Sequence, residues 1–99
     1  MKLKSVLALT VMLGAPLAGQ AADMPAKARA CIGCHGADGN STAPVFPKLA
    51  GQHAQYLENA LKAYRDGFRR NDMMNRFAKN LTDEDIKAIA RYFSSQKAR

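Results

Sequence analysis

The chain has no tryptophan, only two cysteines and two histidines, and nearly twice as many basic as acidic residues. Each scarcity excludes something. A structural zinc site takes four Cys or His ligands, as a rule in two separated pairs. Here the thiols are Cys31 and Cys34, and the one histidine away from them is His53. Beyond residue 19 no apolar run approaches the roughly 20 residues that a membrane-spanning helix needs. No segment alternates apolar and polar residues as a strand does, and there is no internal repeat or low-complexity tract. The missing tryptophan and the small apolar inventory describe a chain that cannot fill a large interior with its own side chains.

The N-terminus addresses the protein for export. Lys2 and Lys4 precede an almost wholly apolar stretch at 5–19, and Ala18-Gly19-Gln20-Ala21 offers small residues for cleavage. That is the pattern of a secretory signal peptide. The expected cut follows Ala21, which makes residues 1–21 a cleaved leader and 22–99 the mature domain. The apolar stretch contains Gly14 and Pro16 and is short for a spanning helix, so no stable membrane insertion is expected. Localisation in the periplasm follows. A domain of about 80 residues is marginal on its own core and is commonly completed by a staple or a cofactor.

What is present is a motif of five residues, Cys31-Ile32-Gly33-Cys34-His35. C-x-x-C-H is the signature of covalent c-type haem attachment. On a helical turn, positions i, i+3 and i+4 share a face. Cys31 and Cys34 can then both meet vinyl groups along one side of a porphyrin, and His35 can aim its imidazole at the iron. Gly33 is expected to leave room for the macrocycle. A redox dithiol of thioredoxin type would need a βαβ setting, which is missing around residue 31. One haem c, held by two thioethers and carrying iron, is the expected cofactor. The apo chain is expected to be largely unfolded.

The mature sequence divides into readable segments, all helical or loop. Residues 24–34 are rich in Ala, Lys and Arg, with Pro25 suited to a first helical position. Residues 36–51 hold three glycines, Pro44 and Pro47, a loop expected to wrap one side of the cofactor. At 53–66, Tyr56, Leu57, Ala60, Leu61 and Tyr64 follow helical spacing, and Gly67 is a suitable stop. The last helix opens on Thr82-Asp83-Glu84-Asp85, an N-cap followed by acids. Ile86, Ile89, Ala90 and Phe93 then recur at i, i+3, i+4 and i+7. The fold class is all-α, with three to four helices wrapped around one covalently bound haem.

An iron held by one histidine can be left open or closed by a second side chain. His53, Met24, Met73 and Met74 are the candidates in the mature chain. Met24 precedes the motif by too few residues to reach the opposite face. His53 reads better as an exposed helix-entry residue. Met73 and Met74 lie far enough along the chain, beyond a helix able to cover one haem edge. Neighbouring side chains diverge, so only one of the pair can face the iron.

The stretch Cys31 to Gly39 has the form Cys-x-x-Cys-His-Gly-x-Asp-Gly. Pro47-Lys48-Leu49-Ala50-Gly51-Gln52, Tyr56-Leu57, Asn71-Asp72-x-Met74 and Leu81-Thr82-Asp83-Glu84-Asp85-Ile86 to Tyr92-Phe93 follow in order. With these motifs the chain resembles class I cytochromes c, and among them the single-haem domains of the bacterial cytochrome c553 and c4 group. Cytochrome c4 has two such domains, so this chain resembles a single-domain relative or half of that architecture. The resemblance implies that Cys31 and Cys34 bind the haem and that His35 and Met74 ligate its iron, with Met73 as the alternative. It also implies that the Pro47 carbonyl accepts the Nδ1 proton of His35, and that Leu49 packs on the haem face.

The function implied is electron transfer at a His/Met-ligated haem cycling between Fe(II) and Fe(III), with no enzymatic step. The alternative is the haem c subunit of a larger flavin- or molybdenum-dependent oxidoreductase. All eight acids and all but two of the fifteen basic residues lie in the mature part. The bases thicken at Arg65, Arg69, Arg70 and Arg76, a rim suited to redox partner proteins with acidic docking surfaces. Nucleic acid is not an expected partner of an exported haem protein. A monomer or a weakly associated subunit is expected.

Overall fold

A computed structural model of the protein describes residues 22–99. The expected leader, with Lys2, Lys4 and the cut after Ala21, lies outside the described residues. Among these the order is a 3-10 turn at Ala26–Ala30, then α1 (Ile32–His35), α2 (Ala54–Asp66), α3 (Asp72–Ala78) and α4 (Asp83–Ser94). There is no strand among the described residues, in keeping with the all-α expectation.

The N-terminal segment differs from the single helix expected over 24–34. Pro25 is extended, at φ −70° and ψ 152°, and stands before the first turn instead of inside it. The amides of Ala28 and Cys31 then reach back three residues, to Pro25 and Ala28, at 3.0 and 2.8 Å. This tighter winding brings Cys31 to the start of α1, and the haem motif occupies one short turn of its own.

Helix α2 ends as its sequence predicts. Gly67 adopts the left-handed conformation at φ 85°, and the Phe68 and Arg69 amides fold back onto the Ala63 carbonyl. Helix α4 begins with a complete capping box: Thr82 Oγ1 accepts from the Asp85 amide, and the Asp85 carboxylate accepts from the Thr82 amide, both at 3.0 Å. Helices α2 and α4 pack against each other, and α3 packs on α2. The core joins Leu57 of α2 to Ile89, Ala90, Tyr92 and Phe93 of α4, with Ala28 beneath them. Phe93 and Ile86 are the largest fully buried side chains, and each contributes about 1.5–3 kcal/mol by its burial.

The long loop after α1 is closed by contacts distant in sequence. The Gly39 carbonyl accepts from the Leu49 and Ala50 amides at 2.8 and 3.1 Å. The Gly51 amide donates to the Phe93 carbonyl at 3.0 Å, and the Tyr92 hydroxyl donates to the Ala37 carbonyl at 2.5 Å. Gly39 is required where it stands. Its φ is +80°, and a Cβ there would lie 2.8 Å from both Ala50 N and Phe93 Cδ1. The C-terminus clasps the same loop. The Asn40 side chain bonds the Lys97 carbonyl and the Arg99 amide, each at 2.9 Å, and the Arg99 guanidinium pairs with Asp38 at 2.6 Å.

Candidate haem site

Helices α1, α2, α3 and α4 and the long loop enclose a cleft of about 600 Å³, within the roughly 300–1,000 Å³ usual for cofactor sites. Cys31, Cys34 and His35 form one wall, with Pro47 and Leu49 from the loop beside them. Tyr56, Leu57, Ala60, Leu61 and Tyr64 of α2 and Ile89 and Phe93 of α4 supply apolar surface. Met73, Met74 and Phe77 enter from α3.

The imidazole is fixed by one hydrogen bond. His35 is buried, and its Nδ1 lies 2.8 Å from the Pro47 carbonyl oxygen. A carbonyl oxygen can only accept, so Nδ1 carries the proton. In the neutral ring with Nδ1 protonated, Nε2 keeps its lone pair, the form in which histidine ligates a metal. The Pro47 contact implied by the family pattern is thus present, and Leu49 stands in the cleft wall as expected.

The Cys31 thiol is poorly suited to thiolate chemistry. Burial pushes the Cys31 thiol up to about 11, and it stays protonated at neutral pH. A zinc ligand or redox nucleophile needs the opposite, a thiolate stabilised by positive charge or metal. Among the described residues no three His, Cys, Asp or Glu side chains gather as a metal site. An apolar cleft lined by two cysteines, one histidine and two methionine thioethers fits a porphyrin with iron at its centre.

The remaining ligand candidates separate by position. His53 is exposed and stands at the entry of α2, away from the cleft lining. Met24 packs against the core cluster. Met73 and Met74 both reach the cleft; Met73 is 45% exposed and Met74 is half-buried. Gly33 departs from expectation. It is exposed and forms no part of the cleft lining, so the room beside the thiols does not come from it.

Two features of the site had no reading in the sequence. Phe77 lines the cleft one helical turn beyond the methionines. Asn75 bonds the Tyr64 and Arg69 carbonyls and the Asn71 amide, all at 2.8 Å. Asn71 had a legible part: its side chain caps α3 by accepting from the Met74 amide at 2.9 Å, the usual work of an Asn before a helix. The partners of Asn75 lie in α2 and the following turn, and no local pattern announces them.

The basic rim is narrower than its sequence implies. Arg65 is committed to Asp66 at 2.9 Å, Asp83 at 2.7 Å and the Leu81 carbonyl at 3.2 Å. These acids, Asp66 foremost, hold its charge in place and neutralise it locally. Arg69 lies over the Tyr64 ring, 4.8 Å from its centroid, at the cleft lining. Arg70 and Arg76 stay exposed.

Comparison with known proteins agrees with this geometry. The cytochrome c family model matches residues 18–97. Cytochrome c-554(548) of Halomonas halodenitrificans is 49% identical over 83 residues, which cover 81% of this chain and all of that relative. Cytochrome c4 of Pseudomonas aeruginosa is 48% identical over 98 residues, 95% of this chain, and the chain spans 49% of that relative's length. The cytochrome c4 structure of Acidithiobacillus ferrooxidans superposes with a TM-score of 0.64 at 45% identity, covering 67% of this chain and 38% of that one. The chain belongs to the cytochrome c family. It is a small class I domain akin to cytochromes c4 and c-554, an electron carrier with haem c as its cofactor.

Proposed function

We propose that the chain is a periplasmic one-electron carrier whose mature part begins at Ala22, after loss of its leader, and in which Cys31 and Cys34 would hold the haem covalently and His35 and Met74 would ligate its iron. The haem supplies one-electron chemistry, its iron passing between Fe(II) and Fe(III). Every other part of the function rests on the chain's own groups. The observation that carries the reading is the 2.8 Å contact of His35 Nδ1 with the Pro47 carbonyl, made by a histidine that lines the same cleft as Met73 and Met74.

Pro47 sets the imidazole orientation and raises its basicity as a ligand. The thioether of Met74 is a soft donor and favours Fe(II) over Fe(III) relative to harder ligands. Leu57, Ile89 and Phe93 keep water from the buried face, which penalises the extra charge of the oxidised state. Val45 and Phe77, 79% and 48% exposed, sit at the rim where the cleft meets solvent. With Arg69 in the lining of the same cleft, that edge suits brief, salt-sensitive contact with acidic redox partners. Among the described residues no helix is long and apolar enough to cross a membrane.

Mass spectrometry and visible spectroscopy of the exported protein test this together. The expected mass is that of 22–99 plus one haem, and the oxidised protein is expected to show the weak far-red band of an Fe(III)–thioether bond. Met74→His is expected to abolish that band and Met73→Leu to keep it. The reverse pattern transfers the ligand role to Met73. Ready uptake of carbon monoxide by the reduced protein would sink the closed-iron reading. Co-purification with a flavoprotein or molybdoenzyme would make the chain a haem subunit.

A further inference from the structure

Helix α3 is seven residues long, too short to hold its shape alone. Yet its first turn carries both cleft methionines. Its position must come from outside the helix: it packs on α2 and buries Ala78, and its side-chain hydrogen bonds to α2 and the following turn converge on Asn75. Both Nδ2 protons of Asn75 are used, one to the Tyr64 carbonyl near the end of α2 and one to the Arg69 carbonyl in the turn that follows, each at 2.8 Å. Its Oδ1 accepts from the Asn71 amide at 2.8 Å. Asn71 in turn accepts from the Met74 amide at 2.9 Å. The orientation of the Asn75 amide is set by its partners, because carbonyls require the nitrogen and the Asn71 N–H requires the oxygen.

We propose that Asn75 is a positioning residue for the distal ligand: it ties the methionine-bearing turn to α2 and thereby sets how readily the Met74 thioether gives way to an outside ligand. This rests on the reading of Met74 as the axial ligand. Asn75 lies outside the cleft lining; it acts through the turn that bears Met74.

The test uses ferric holoprotein and imidazole, which must displace the distal side chain to bind. Asn75→Ala removes all three side-chain bonds, and imidazole is expected to bind about tenfold more tightly than to the unaltered protein. Asn75→Asp keeps the acceptor for the Asn71 amide but loses both donors. It is expected to move in the same direction, and it serves where the alanine variant yields no holoprotein. Thr82→Ala is the control. It weakens α4 and lowers the melting midpoint without touching α3, and its imidazole affinity is expected to stay within about twofold of the parent. An Asn75 variant that melts earlier but binds imidazole like the control overturns the proposal and leaves Asn75 a general stabiliser. Retention of the far-red band in Met74→His overturns the ligand assignment and the clamp with it. Loss of that band, together with parental imidazole affinity in the Asn75 variants, overturns the clamp alone.

Discussion

The two walls of the cleft are built differently. The wall of Cys31, Cys34 and His35 is backed by a loop that closes on α4, on the C-terminal residues and on itself. Its histidine is buried and its ring is fixed at Nδ1. The methionine wall is one short helix, mostly exposed, held by the side chains of two asparagines. The His35 side is therefore held by many dispersed contacts and the methionine side by a few concentrated ones. A carrier that must not release its cofactor needs the first kind of wall. The second kind makes the methionine side tunable at small cost to the rest of the fold.

The contrast can be broken most severely at the proximal side. Under the proposed function, replacing Cys31 and Cys34 together by alanine would remove both points of haem attachment and the packing surface the haem would supply. The far-ultraviolet circular dichroism of that double variant is expected to lose most of its helical signal, and native-like helix content would contradict it. Gly39→Ala comes next. It places a methyl group against Ala50 N and the Phe93 ring at a positive φ, which is expected to cost about 2–4 kcal/mol in thermal or denaturant melts. The distal wall should be nearly indifferent to Thr82→Ala, whose expected cost is about 1 kcal/mol from the lost cap of α4, with no change in axial ligation.

The smallest expected effect is a pH dependence of the C-terminal clasp. The Arg99 guanidinium, and after it the Asn40 backbone, hold the Asp38 carboxyl down to about 2. A depressed pKa stabilises the fold in full above the ordinary value of 3.8 and loses that contribution as pH falls toward 2. The difference in melting midpoint between the protein and Asp38→Asn is expected to shrink over that acid window. A difference that stays constant would remove Asp38 from the clasp. The carboxylate is exposed enough for salt to screen the effect.

Much of this arrangement is legible in the sequence where the signal is local. The box of Thr82 and Asp85, the spacing from Ile86 to Phe93 and the stop at Gly67 are all written within a few residues, and the helices stand where those signals put them. The C-x-x-C-H motif locates the proximal wall for the same reason. What could not be read depends on partners far along the chain. The 3-10 turn before Cys31 arises where an alanine-rich stretch would otherwise favour a longer helix. Arg65 looks like a free surface charge until Asp83 is brought to it across 18 positions. Asn75 looks like an ordinary polar helix residue until the end of α2 is folded over it.

Phe93 has a consequence for how the molecule comes apart. Its ring would collide with any side chain at position 39, its carbonyl receives the Gly51 amide, and it lies at the centre of the helical core. Loop closure and the docking of α4 are therefore a single cooperative unit. The amides of Leu49, Ala50 and Gly51, though in a segment without regular structure, should exchange their hydrogens as slowly as those of the helix, because each waits for the same opening.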